Sequence, residues 1–442
     1  MKIVKVISDN PGQYAGMPAY TDLGCSPKIL EELINFIDAK AVVAQEIHFA
    51  LYLFNNQKLN EALLRIANNG VTTTVTTLPL EGYDAQARGD IYSHETGERV
   101  AQNVTKKDIA EDLFGEIIKN SPQNFRLLFY PHIYIRSSRV RPFSRGKMPY
   151  SLHIKSAFIK VSKDLSYSVL TSSNLAIRDL RKHEIMLIVE NDREETSEAL
   201  SFFNGLEKQS IEASKYVDGI ENGQSQRLQM ELTTGHIFTA PFIDGSNERA
   251  EKLIKETIRS AKNRILICAQ HIAGLKYGFN PNFRDNNLAN GWEYYQGFLT
   301  DAIAMSRKNV EVSFLSQTFV DENGLSHGCR SPANKKDFKA LAAALKNAGF
   351  NEYYVNSDLH SKFIVVDDII IFTTFNYTPT QFLYLPDVHI DKFDNIPGYS
   401  YHGVHSEVGH AVIINSKSFA DKFVQYFNVI KNHRSTYKHI WR

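Results

Sequence analysis

Two short stretches of this chain carry the same chemistry in the same order, and any fold must place both. The first is His153-Ile154-Lys155, followed by Thr171-Ser172-Ser173-Asn174 and then Glu184. The second is His360-Ser361-Lys362, followed by Thr373-Thr374-Phe375-Asn376 and, further on, Glu407. In each copy the histidine and lysine stand two apart on an expected strand, so both project from one face while Ile154 or Ser361 turns away. Two copies at one pocket bring paired imidazoles, ammoniums, carboxamides and carboxylates. That set suits a tetrahedral phosphate with one histidine on each side.

The surroundings repeat as well. In the first half, residues 41–54 read as a buried strand, 59–67 as an amphipathic helix closed by Asn69-Gly70, and 71–78 as a Val- and Thr-rich strand. In the second half, 264–270, 297–306 and 310–315 give strand, helix and strand again, with Gln45 and Gln270 read as closing the first strand of each unit. Such units imply parallel pairing with a right-handed crossover. Ser26-Pro27 reads as the start of an earlier helix, and the acidic stretch 190–198 as the start of a later one. A motif that repeats with its scaffold indicates internal duplication. The expected fold is α/β: two similar lobes, each a mixed, largely parallel sheet flanked by helices, with the active site at the interface between lobes. The Gly-, Asn-, Gln- and Ser-containing stretch 219–226 is the expected linker, dividing the chain into lobes 1–222 and 223–442.

Length and composition bound the rest. A chain of 442 residues accommodates two ordinary domains or one large two-lobed one. A net charge of +1 excludes a uniformly basic surface, so a polyanionic partner must be held by a local patch. That patch is expected at Arg136, Arg139, Arg141, Arg145 and Lys147, a segment without acidic residues just before the first motif, with Arg178, Arg181 and Lys182 adding to it. Cys25, Cys268 and Cys329 form no CxxC, which argues against a disulfide framework or a cysteine zinc site. No stretch approaches the roughly 18–20 apolar residues that span a bilayer, residues 1–9 read as a strand rather than a signal peptide, and the expectation is a cytoplasmic protein.

The motif residues have a direct chemical reading. One imidazole attacks phosphorus to give a phosphohistidine, and the other protonates the leaving oxygen and then activates the incoming nucleophile. Lys155, Lys362, Asn174 and Asn376 hold the non-bridging oxygens. A carboxylate on the far ring nitrogen fixes the tautomer, a role for which Glu184 and Glu407 are the candidates. No metal and no cofactor are needed. The remaining histidines show no metal-ligand spacing such as HExxH, although His48 and His271 are placed to line the cleft.

His-x-Lys, then Asn, then Glu, twice over about residues 30–430, resembles the phospholipase D (HKD) superfamily of phosphodiesterases. The second copy is the closer match, with four residues between Lys362 and Asp367 and Thr-Thr-Phe-Asn376 where the family has Gly-Ser-x-Asn. The first departs: Lys160 takes the place of the aspartate, and Thr-Ser-Ser-Asn174 replaces Gly-Ser-x-Asn. The resemblance implies a structural role for Asp367, a nucleophilic role for His153 by analogy, and a site that closes within one monomer, with a homodimer also compatible. Glu407 lies much further from Asn376 than Glu184 lies from Asn174, so an insertion intervenes at 377–406. Within this superfamily the basic segment favours nucleic acid as partner and a nuclease as the activity. The alternatives are an intracellular phospholipase D or phosphatidyl transferase, with loops 272–295 and 377–406 meeting lipid, and a degenerate nucleic-acid-binding scaffold.

Overall fold

In the computed structural model the two halves share one element order. The structure describes residues 1–10, 27–54, 56–78, 114–130, 152–175, 182–215, 228–272, 276–279, 293–297, 299–328, 335–377, 379–382, 385–390, 401–404 and 407–441. The first half contains β1 (Lys2–Asp9), α1 (Pro27–Ala41), β2 (Glu46–Leu51), α2 (Gln57–Asn68), β3 (Thr72–Thr77), β4 (Phe125–Phe129), β5 (Lys155–Lys160), β6 (Ser166–Thr171), β7 (Glu184–Asn191), α3 (Arg193–Lys208) and β8 (Ile211–Glu212). The second contains β9 (His236–Thr239), α4 (Ser246–Arg259), β10 (Arg264–Ala269), α5 (Leu299–Ser306), β11 (Glu311–Ser316), β12 (Glu352–Asn356), β13 (Lys362–Val366), β14 (Ile369–Thr373), β15 (Gly409–Asn415), α6 (Lys417–Lys431) and β16 (Thr436–Ile440), with a further helix at Lys335–Asn347.

Each half forms one eight-stranded sheet. The orders are β1-β7-β6-β5-β2-β3-β4-β8 and β9-β15-β14-β13-β10-β11-β12-β16, the same sequence of equivalent strands. The two-lobed, mixed α/β arrangement agrees with the reading of the sequence, but the balance within the sheets differs. Parallel pairing is confined to β2–β3–β4 and to β10–β11–β12, and the other neighbours run antiparallel. The strand-helix-strand units do pair in parallel. The motif strands, however, arrive through tight turns such as that between β5 and β6, and such a connection permits only antiparallel neighbours.

Local chemistry explains the helices that frame the sheets. Asn56 caps α2 by accepting from Leu59 N, and Leu59, Leu63 and Ile66 bury one face. The helix stops at Gly70, whose φ of 95° is costly for residues with a Cβ. Asp192 and Glu195 close a capping box at the start of α3, where the acidic stretch expected a helix.

The lobes share apolar surface. One core lies within the second lobe, another fills the first and takes in Phe238, Phe242 and Val408 of the second, and a third joins the sheets, with Leu170, Leu187 and Val189 of the first sheet beside Phe363, Val365 and Phe372 of the second and Phe423, Phe427 and Ile430 of α6. On the other side, Phe202 of α3 stacks on Phe238 of β9 with ring centroids 4.0 Å apart. Fully burying one such side chain contributes roughly 1.5–3 kcal/mol, so this interface holds the lobes in fixed register. No helix among the described residues is long and apolar enough to cross a membrane.

Candidate active site

Two bridges between the lobes set the geometry. Leu152 pairs with Val408 and Leu359 with His183, each in parallel. His153 N donates to Val408 O at 3.0 Å, and His360 N donates to His183 O at 3.1 Å. Each HxK strand therefore begins against the opposite lobe, beside the segment that carries a glutamate. The carboxylates cross over. Glu184, from the first lobe, accepts from His360 Nδ1 at 2.6 Å, and Glu407, from the second, stands 3.1 Å from His153 Nδ1. Neither half holds its own histidine.

Glu184 is wholly buried and accepts a further hydrogen bond from Ser172 Oγ at 2.5 Å. Its backbone is pinned from the other lobe, because the Tyr426 hydroxyl of α6 donates to Glu184 O at 2.8 Å. Lys155 and Lys362 are also wholly buried. Lys155 Nζ donates to His153 O at 3.0 Å and to Thr374 O across the lobe boundary at 3.4 Å, and Lys362 Nζ donates to His360 O at 2.5 Å. Ammonium groups taken out of water cost several kcal/mol each unless compensated, and an anion lying between them would offset that cost. Asn174 and Asn376 follow the two outgoing strands and are nearly buried, and Asn376 Oδ1 has no hydrogen-bond partner among the described residues.

The electrostatics keep both imidazoles neutral. Burial, then the Lys155 ammonium, pull His153 down to about 4, against the opposing pull of Glu407. His360 is held well below the usual histidine range by burial and then by Lys362, Lys182 and Lys155. With Nδ1 turned to a carboxylate, as a hydrogen bond at His360 and an ion-pair contact at His153, each neutral ring can present Nε2 as a lone pair, which is the form a nucleophile or general base needs.

The structure thus brings His153, His360, Lys155, Lys362, Glu184 and Glu407 to one lobe interface, with Asn174 and Asn376 at the ends of β6 and β14. Asp367 lies at the other end of β13, where its carboxylate accepts from Lys262 N, Asn263 N and Arg264 N at 2.7–2.9 Å. Lys160, at the equivalent place, pairs with Glu46 at 2.5 Å. Arg136, Arg139, Arg141, Arg145, Lys147, Arg178 and Arg181 lie outside the described residues, as do the linker stretch 219–226 and most of the two aromatic loops.

Three expectations change. His48 does not line the cleft: it is buried between Glu207 (2.5 Å) and Glu46 (3.1 Å), which favour its charged form and outweigh burial. Lys182, read as part of the surface patch, is half-buried and acts on His360. The counterpart of Gln270 is Tyr52 rather than Gln45, because Leu51 and Ala269 face the equivalent lysines Lys155 and Lys362. Tyr52 was missed as a site residue. Its ring meets His153 edge-on at 5.2 Å, and Lys155 Nζ lies 5.4 Å from its centre. The only signal for it in the sequence was an aromatic residue just past a buried strand.

No protein-family model and no curated protein matches the chain. Among solved structures, polyphosphate kinase from Porphyromonas gingivalis is similar over 98% of this chain at 10% identity and a TM-score of 0.48, and the chain spans 48% of that protein's length. Phosphatidylserine synthase from Haemophilus influenzae is similar over 92% of this chain and 85% of its own, at 11% identity and a TM-score of 0.47. Nuc from Salmonella typhimurium, described as a phospholipase D family member, matches 47% of this chain with 98% of its own, at 17% identity and a TM-score of 0.28.

Proposed function

We propose that this chain is a phosphodiesterase that works through a phosphohistidine without a metal, and that its substrate is a nucleic-acid phosphodiester. The observation that carries the chemistry is the crossed pair: two buried imidazoles, each facing at Nδ1 a carboxylate from the other lobe, with two buried lysines whose charges act on both rings.

In the first step Nε2 of one imidazole forms a bond to phosphorus and the bond to the leaving oxygen breaks. The other imidazole delivers a proton to that oxygen. Water then attacks phosphorus, its proton passes to the second imidazole, and the N–P bond breaks. Lys155, Lys362 and the two asparagine side chains hold the non-bridging oxygens as negative charge gathers there. The bound phosphate also raises the affinity of the second ring for its proton, which a site lined only by lysines withholds.

The substrate class rests on the basic segment from Arg136 to Lys147, whose cations suit backbone phosphates without reading base sequence. The test is incubation with labelled single- and double-stranded DNA and RNA in EDTA, beside His360→Ala. Cleavage by the wild type alone is expected. Cleavage that requires an added divalent ion would sink the mechanism. Headgroup release from phosphatidylcholine vesicles, with nucleic acids left intact, would replace the substrate.

A further inference from the structure

The second sheet carries a cluster of ligating groups far from the crossed histidines. Between β11 and the helix Lys335–Asn347, residues Thr318–Val320 and Ser326–Gly328 form a small antiparallel hairpin. Its turn is organised by Asp321, whose Oδ1 accepts from Asn323 N and Leu325 N at 2.9 Å each. That leaves Oδ2 facing His327 Nε2 at 3.0 Å. The hairpin lies against β12, with Phe319 and His327 reaching His439 and Tyr437 of β16, the outer strand of the sheet, and β12, β11 and β10 separate that strand from β13.

β16 contributes His439. One donor atom from each of Asp321, His327 and His439 lies within 4.8 Å of the other two. His439 is 8% exposed, and its Nε2 is buried without a hydrogen-bond partner among the described residues. Glu322 Oε2, 3.4 Å away, is not aligned to bond it and instead accepts from Trp441 Nε1 at 2.8 Å. Phe319 and Trp441 enclose the ring on its other sides, with centroids 5.3 and 5.0 Å away. A buried imidazole nitrogen that makes no hydrogen bond is expensive, and His439 brings one donor atom within 4.8 Å of a second imidazole and a buried carboxylate.

We infer that Asp321, His327 and His439 form a site for a divalent transition-metal ion, Zn²⁺ by preference, that staples the hairpin to the outer strand. Two imidazoles and a carboxylate match zinc's borderline-soft character, whereas the harder Mg²⁺ and Ca²⁺ take all-oxygen sets. Zinc–ligand bonds of about 2.0–2.2 Å set neighbouring donors roughly 3.3 Å apart in a tetrahedron, a modest rearrangement of the present cluster. Glu322 stands beside the ligands, where it can orient a water in the fourth position. The site is structural and independent of the phosphodiester chemistry: a protein that binds zinc here and cleaves nothing leaves this inference standing.

The test uses the untagged full-length chain, stripped with chelator and titrated with Zn²⁺ and, separately, with Co²⁺. About one equivalent of Zn²⁺ should bind and raise the melting temperature by ~5 °C, and Co²⁺ should give the visible absorption of a tetrahedral site. His439→Ala should bind no metal in that range while keeping its circular dichroism. Asp321→Asn, which retains an acceptor for the turn, should weaken binding at least tenfold. Absent cobalt bands in the wild type, or binding that survives His439→Ala, would overturn the site.

Discussion

The two lobes have the same strands in the same order, yet they reach their shared site by different residues. Thr171 pairs with Met186 in the first lobe and Thr373 with Ala411 in the second, and each threonine stands three residues before its asparagine. By that register Glu184 corresponds to Gly409, and Glu407 corresponds to Lys182. The second lobe has no room for a glutamate at the first lobe's position, because a Cβ at Gly409 would run into the Phe375 ring. The carboxylate is supplied two residues earlier instead, on the same face of the extended chain, with Glu407 O fixed by Gln381 Nε2 at 2.7 Å and Thr239 Oγ1 at 3.1 Å. A second exchange lies at the far end of the motif strands. Glu46 and Lys160 pair in the first lobe, and Arg264 and Asp367 occupy the same two places in the second, with the charges reversed. Duplicated backbones preserve where a charge is needed better than which residue supplies it.

The largest effect expected from breaking this comparison falls on the histidines. His153→Ala and His360→Ala should each abolish turnover. The site is nevertheless unequal: Lys182 acts on His360, while Glu407 raises His153. The resemblance read in the sequence places the attack on His153 and the proton delivery on His360, and a covalent adduct would tell which ring attacks. Acid-stable trapping is unsuited to an N–P bond, so the adduct should be sought by mass spectrometry at alkaline pH. An adduct on His360 would refute this ordering.

The carboxylates come next. Glu184→Gln should lower turnover by about 10²–10⁴-fold, on the scale of a lost orienting carboxylate. Glu407→Gln should cost less, because its contact with histidine is longer, 3.1 Å against 2.6 Å. Steady-state kinetics on one substrate would decide, and a larger loss at Glu407 would contradict the ranking.

A smaller effect, on stability, follows from acidification. Burial holds His236 near 3, and His410, which contacts it at 2.9 Å, well below its usual range. Both are neutral in the fold and readily protonated when unfolded, with a reference pKa of about 6.5. Their contribution is complete above that pH and is lost as pH falls from there towards the folded values. His48 works in the opposite sense, since its raised pKa gives stability that is present below about 6.5 and is lost as pH rises through the folded value. The melting temperature should fall between pH 7 and pH 5, and His236→Gln should flatten that fall. An unchanged slope in the variant would exclude this histidine pair as its source.

The mildest test exchanges the charges at the far end of the strands. Lys160→Asp alone places two carboxylates together and should destabilise by ~1–3 kcal/mol, and adding Glu46→Arg should recover most of it. Denaturant unfolding of the four proteins in this cycle measures the coupling. Additive losses would show that the reversed pairs are not equivalent.

The order of strands and helices was legible in the chain because it depends on spacing within a few residues. His153 and Lys155 share a strand face by alternation, Asn56 and Asp192 mark helix starts, and the repeat announces the duplication. The proportion of parallel pairing was not legible, because a buried apolar strand such as β13 looks the same whichever way its neighbours run. Nor could sequence join His439 to Asp321 and His327, which meet only when the outer strand closes the sheet. By itself the sequence determined which groups this protein has for the proposed phosphate chemistry, and beside which strands. Which carboxylate serves which imidazole was decided by tertiary structure alone: His360 and Glu184 are 176 residues apart, and only the bridges between the lobes bring them to hydrogen-bonding distance.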